Sequence, residues 1–192
     1  HQQNKKMVVV LNSGNVMETA SWRDLADAIL VAWQPGQEGG NSVADILTGK
    51  ANPSGKLTMT WPIDVMDVPS SHDFPLGDGK NEQTALHKEG INIGYRYFNT
   101  AHKEVAYPFG FGLSYTTFAY SAPKVKSTKN GFRASITVTN TGKVEGKEAV
   151  QLYVSAPKGK LEKPECELKA FAKTRNLKPG EQQTLYFDVT NY

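Results

Sequence analysis

Four carboxylates in one glycine- and proline-rich stretch, Asp73, Asp78, Glu82 and Glu89, are the best candidates for chemistry in this 192-residue chain. Two carboxyl groups held about 5 to 9.5 Å apart can cleave a glycosidic bond, one as acid or base, the other as nucleophile or activator of water. Glu89 is the most interesting of the four because it opens Glu89-Gly90-Ile91-Asn92-Ile93-Gly94-Tyr95-Arg96-Tyr97-Phe98. There Tyr95, Tyr97 and Phe98 offer rings that can stack on a sugar or anchor the segment to a core. The plainer role for Glu89 is an ion pair, with Arg96 or with a lysine.

Other chemistries find less support. His1, His72, His87 and His102 show no His-Glu-x-x-His spacing, and all read as exposed histidines. No Gly-x-Ser-x-Gly elbow is present to carry a nucleophilic serine. Cys166 is the single cysteine, which excludes an intrachain disulfide and a cysteine-based zinc site. The turn Gly36-Gln37-Glu38-Gly39-Gly40 precedes a helix and could cradle an anion, but it matches neither dinucleotide nor P-loop spacing. Glu38 already sets negative charge at that helix start, so a structural turn is the better reading. No metal or cofactor is expected.

The elements that must position these residues follow from periodicity. Residues 7–11 and 28–33 are short apolar runs, the pattern of strands buried on both faces. A short helical turn is expected over 22–27. Val43, Ala44, Ile46 and Leu47 recur at helical spacing before Gly49, a C-terminal cap. Residues 56–61 alternate as a third strand after the turn Asn52-Pro53-Ser54-Gly55. Strand, helix, strand, helix, strand is the rhythm of a mostly parallel α/β sheet. Residues 62–116 read as a long irregular connection packed on neighbouring domains. From residue 117 the pattern is all-β. Ala134, Ile136 and Val138 alternate inward against Ser135, Thr137 and Thr139, with further strands over 149–155, 167–171 and 183–189. The expected divisions are therefore 1–61, part of an α/β domain; 62–116, the connection; and 117–192, a sandwich of immunoglobulin or fibronectin type III kind short of its last part.

Charge follows this division. Residues 1–116 carry 9 basic against 12 acidic side chains, and residues 117–192 carry 13 against 7. The scattered lysines describe a solvated surface rather than a nucleic-acid interface. No apolar run reaches the length of a membrane helix, and the polar amino end lacks the pattern of a signal peptide. The expected partners include neither nucleic acid nor membrane.

Five ordered segments carry a family resemblance. They are 28–40, Asn52-Pro53-Ser54-Gly55-Lys56-Leu57, 89–98, 109–118, and the run from Val138-Thr139-Asn140-Thr141-Gly142 to Gln151-Leu152-Tyr153-Val154. Together they resemble the carboxy-terminal part of glycoside hydrolase family 3, the β-glucosidase and β-xylosidase group, over nearly the whole chain. The resemblance makes residues 1–61 the end of an α/β sandwich domain and residues 117–192 a fibronectin type III-like domain, and it implies a barrel domain upstream that supplies the aspartate nucleophile of a retaining mechanism. It places the acid/base glutamate in a Ser-Gly-Glu-Gly-like context, which this chain lacks. Neither Glu38 nor Glu89 inherits that role, so no catalytic and no substrate-binding residue is assigned here. The implied partners are the barrel domain and, in the full-length enzyme, an oligosaccharide or aryl β-glycoside. The compartment is left open, with a periplasmic or secreted setting favoured over the cytoplasm. Two functions stay in play: an exo-acting β-glucosidase fragment inactive alone, or a non-catalytic module that binds carbohydrate or protein.

Overall fold

The computed structural model describes residues 6–74, 86–157 and 159–190. Its first part is α/β. Strand β1 (Val8–Leu11) pairs in parallel with β2 (Ala28–Val31), Val8 opposite Ala28 and Leu11 opposite Val31. Between them lies a 3₁₀ turn, Arg23–Leu25, within the stretch expected to be helical. Arg23 fastens this turn by donating from Nη1 to the Ala106 carbonyl at 2.7 Å. Helix α1 (Gly39–Leu47) follows β2. Its last turn closes as the sequence suggests, with Gly49 at φ +77° and its N–H returning to the Ile46 carbonyl at 3.0 Å. Leu11, Trp61 and Ala106 form the core here, with Val9, Ile29, Trp33 and Leu57 packed around them.

The expected strand over 56–61 does not form. Strand β3 is only Trp61–Pro62, and it runs antiparallel to β4 (Val105–Tyr107) rather than parallel to β2. Leu57 and Trp61 are both drawn into the core, which accounts for the apolar spacing without a ladder. Leu57 instead makes two isolated backbone bonds, its N–H to the Phe111 carbonyl and its carbonyl from the Gly110 N–H, each 2.8 Å. The connection after residue 62 also holds regular structure. It contains 3₁₀ turns Val65–Asp67 and Pro69–His72, helix α2 (Tyr95–Thr100) and β4.

The second part is an all-β sandwich. Strands β5 (Phe118–Tyr120) and β6 (Lys124–Thr128) both pair antiparallel with β7 (Gly131–Asn140). The second sheet is β8 (Ala149–Val154) with β9 (Glu167–Lys173), and β10 (Gln182–Thr190) lies on the other side of β7. Ala134 and Val138 point inward as their alternation demands, and they meet Val150, Leu177, Leu185 and Phe187. On the opposite face Thr137 and Thr184 share a hydroxyl–hydroxyl bond of 2.8 Å. Among the described residues no helix is long and apolar enough to cross a membrane.

Candidate functional site

The side chains singled out by type serve mostly local roles. Asp73 is paired with Lys88 at 2.8 Å. His72, His87 and His102 are exposed, and His102 Nδ1 lies 3.5 Å from Glu165. Asp78, Glu82 and His1 lie outside the described residues. Glu89 makes no ion pair among the described residues, although its carbonyl accepts from the Asn92 N–H at 3.0 Å. Arg96, its expected partner, reaches across to Glu167 of β9 at 3.2 Å. Gly90 and Gly94, at φ +58° and +56°, turn the backbone between Glu89 and Arg96. Two of the aromatic residues anchor helix α2. Phe98 is buried, and the Tyr95 ring packs on Phe109 and Tyr153 at 4.9 and 5.7 Å while its hydroxyl accepts from the Leu168 N–H. The Tyr97 ring meets Phe98 edge-on at 5.3 Å. Glu38 accepts from the Asn41 side chain at 2.6 Å beside the start of α1, in keeping with a structural turn.

The convergent polar site lies elsewhere, at the seam between the two parts. The segment 52–56 reads locally as a turn, yet four of its residues reach the β-sandwich or the loop before it. Asn52 donates to the Glu145 carbonyl and accepts from Ser114 Oγ and the Tyr115 N–H, all at 2.9 Å. Ser54 Oγ accepts from Lys173 Nζ at 3.1 Å. The Gly55 carbonyl lies so close to Gly112 that a Cβ there would collide with it. Lys56 Nζ meets Glu148 Oε1 at 3.1 Å and donates to the Gly112 carbonyl at 2.9 Å. The same Glu148 oxygen accepts from the Tyr120 hydroxyl at 2.7 Å, and the Glu148 N–H donates to Thr174 Oγ1 at 2.9 Å. Sequence reading missed this cluster because its partners are so distant along the chain; Asn52 and Glu145 are 93 positions apart. The only local hint was a turn richer in hydrogen-bonding side chains than a turn needs.

Two clefts bear on where a ligand could sit, and only the first borders the seam. One, of about 330 Å³, sits at the seam and is lined by Lys56, Tyr120, Glu148, Gln151 and Tyr153 among others. The second, of about 520 Å³, lies at the carboxyl ends of β1 and β2 and includes Asn12, Gln34 and Gly39. The first holds one carboxylate and the second none, so neither presents the carboxylate pair that glycoside hydrolysis uses.

Burial pushes the Tyr153 phenol up to about 12, helped by neighbouring Tyr95 and Cys166. Burial also raises Tyr120, reinforced by its bond to Glu148. A phenol whose folded pKa exceeds its ordinary value stabilises the fold in its neutral form. That contribution is whole below pH 10 and is lost as pH climbs through the folded value near 12. Urea unfolding between pH 10 and 12 is therefore expected to show falling stability, with a shallower fall in Tyr153→Phe. Absorbance of tyrosinate should lag behind that of free tyrosine; phenols that all ionise at the free value would refute the assignment.

Comparison with known proteins agrees with this geometry. Residues 1–115 match the glycosyl hydrolase family 3 C-terminal domain, and residues 148–192 match a fibronectin type III-like domain. The chain is 46% identical over 197 residues to β-glucosidase A of Butyrivibrio fibrisolvens, covering 92% of this chain and 23% of that protein. It is 42% identical over 187 residues to an exo-α-(1→6)-L-arabinopyranosidase of Bifidobacterium longum, covering 97% and 24%. Among solved structures, β-glucosidase 3B from Thermotoga neapolitana in complex with α-D-glucose superimposes with a TM-score of 0.93 at 50% identity. That match covers 99% of this chain and 26% of the other. The chain thus spans about a quarter of the length of the relatives it matches. An α/β part joined by a polar seam to a fibronectin type III-like sandwich, in the order these relatives have it, places the chain in glycosyl hydrolase family 3, as the C-terminal portion of its β-glucosidase-like members.

Proposed function

We propose that the chain is the non-catalytic C-terminal portion of a retaining, exo-acting β-glucosidase that removes terminal non-reducing β-D-glucosyl residues, and that it is inactive alone. The observation that carries this reading is the 50% identity and 0.93 TM-score to a glucose-bound β-glucosidase over 99% of the chain but 26% of that enzyme. The lone carboxylate in the seam cleft supports it, since retaining chemistry uses two, about 5 to 5.5 Å apart. In this reading an upstream barrel supplies the nucleophile, and the seam holds the β-sandwich in place against the α/β part.

Hydrolysis of an aryl β-D-glucoside by the 192-residue chain, measured beside the full-length polypeptide, tests the proposal. The chain alone is expected to match the buffer blank while the full-length enzyme turns over. Turnover by the isolated chain would overturn the claim of inactivity. The arabinopyranosidase relative at 42% identity makes an aryl α-L-arabinopyranoside the necessary second substrate. Preference of the full-length enzyme for that substrate would overturn the glucoside assignment.

A further inference from the structure

We propose that the seam cleft is a non-catalytic binding site for one neutral pyranose ring. Its size, about 330 Å³, lies at the small end of the roughly 300–1,000 Å³ typical of ligand pockets, which suits a single ring rather than a chain of them. Its lining combines the Lys56 ammonium, the Glu148 carboxylate, the Gln151 amide and the Tyr120 and Tyr153 phenols. Donors and acceptors are thus both present, while the two formal charges are already spent on each other at 3.1 Å. Such a cleft offers little net attraction to an ion and much to a polyhydroxylated neutral molecule.

Gln151 is the group best placed to read a hydroxyl. Its Oε1 accepts from the Tyr153 hydroxyl at 3.0 Å, which orients the amide. Its amide nitrogen has no protein partner among the described residues. Phe171 is the direct cross-strand neighbour of Gln151, so the two side chains share one face of the β8–β9 sheet. Phe171 is 75% exposed in this chain. Phe171 is not part of the cleft lining, but one strand over from Gln151 on the same sheet face its ring would offer an apolar platform to the C–H face of a pyranose whose hydroxyls turn toward Gln151 and Tyr153. This site is separate from the proposed hydrolysis, and it stands or falls without a carboxylate pair.

The test is titration of the 192-residue chain with methyl β-D-glucopyranoside and with cellobiose, followed by chemical-shift changes or calorimetry. Saturable binding in the millimolar range is expected, with cellobiose no more than a fewfold tighter. Phe171→Ala and Gln151→Ala should each weaken it by about tenfold or more, the size of one lost stacking or buried polar contact. Phe171→Trp should keep or tighten binding. Phe171 is exposed, so its replacement is expected to leave the fold intact, and circular dichroism of both variants checks this. Absence of saturable binding, or equal affinity in the parent and both variants, would overturn the site. Loss of glucosidase activity in the full-length enzyme assay would bear only on the proposed function.

Discussion

Replacing Lys56 by methionine is expected to destabilise the chain by about 3 kcal/mol, the scale for breaking a nearly buried ion pair. The Lys56 and Glu148 side chains are only 15% and 11% exposed. Removing the ammonium leaves the carboxylate with the Tyr120 hydroxyl as its one side-chain partner, in a site where water cannot fully replace the lost charge. Removing both charges should hurt less than removing one, so Lys56→Met combined with Glu148→Met is expected to recover much of the loss. The contrast is Arg133 with Asp188, a two-pronged pair at 2.6 and 2.8 Å whose side chains are 56% and 60% exposed. Breaking that pair should cost far less, because solvent and salt screen it. Urea unfolding of the parent, Lys56→Met, the Lys56→Met/Glu148→Met double variant and Arg133→Met decides the matter. A Lys56→Met cost no larger than that of Arg133→Met would show that the seam pair is ordinary surface chemistry. A probe in each part, Trp61 in the α/β core and Phe187 replaced by tryptophan in the sandwich, should also separate in midpoint once the seam is weakened.

The reason the seam escaped sequence reading is physical. Strands β1 and β2 are legible from their continuous, β-branched apolar runs, although β1 is not buried on both faces as such a run suggests: Val9 and Leu11 meet the core while Val8 and Val10 are exposed in this chain. Helix α1 is legible from its apolar spacing and from Gly49, whose φ of +77° suits a residue without a Cβ. The inward face of β7 shows in its period-two alternation. Each of these signals is local. Strand β6 has no such signal, since all five of its residues are exposed and only backbone pairing with β7 defines it. Helix α2 begins Tyr95-Arg96-Tyr97-Phe98, a composition that local propensity assigns to a strand. The helix puts Tyr95 and Phe98, three positions apart, on one face, where Phe98 is buried and Tyr95 packs on Phe109. The polar contacts of Asn52, Ser54 and Lys56 carry no period at all. Their partners come from the other part of the chain, so the residues look like a solvated turn until the two parts are brought together. Carboxylates fared worst as guides. Asp73 stands out in the sequence by its place in a loop and is an ion-pair partner, while Glu148, inside a strand-rich region, sits in the cleft.

Asn140→Ala is expected to cost about 4 kcal/mol, a large part of the 5–15 kcal/mol that holds a domain together. Asn140 is fully buried at the end of β7. Its Oδ1 accepts from Thr116 Oγ1 at 2.7 Å and from the Gly142 N–H at 3.0 Å, and its Nδ2 donates to the Val144 and Leu177 carbonyls, both at 2.8 Å. Truncation does not strand all four partners. The Leu177 carbonyl keeps the Gly146 N–H at 3.0 Å, and the Thr116 hydroxyl can rotate. The Gly142 N–H and the Val144 carbonyl lose a partner outright, at about 1–3 kcal/mol each. Asn140→Asp makes a sharper test because it preserves shape and changes one atom. The new oxygen faces two carbonyl oxygens, and only the protonated acid can donate to either. Its folded pKa is therefore raised above the unfolded value of about 3.9. The sign follows: stability is present below that unfolded value and lost as pH rises through the folded one. The parent chain behaves in the opposite sense. Its Asp67 and Asp188 are lowered by their bonds to Lys103 and Arg133, and Glu181 by the Lys178 N–H and Arg175. Those groups stabilise above the unfolded carboxylate value and lose their contribution as pH falls through the folded one. Urea midpoints measured from pH 4 to 7 should thus rise for the parent and fall for Asn140→Asp. Parallel curves for the two proteins would mean that the amide nitrogen does not bind those carbonyls in solution.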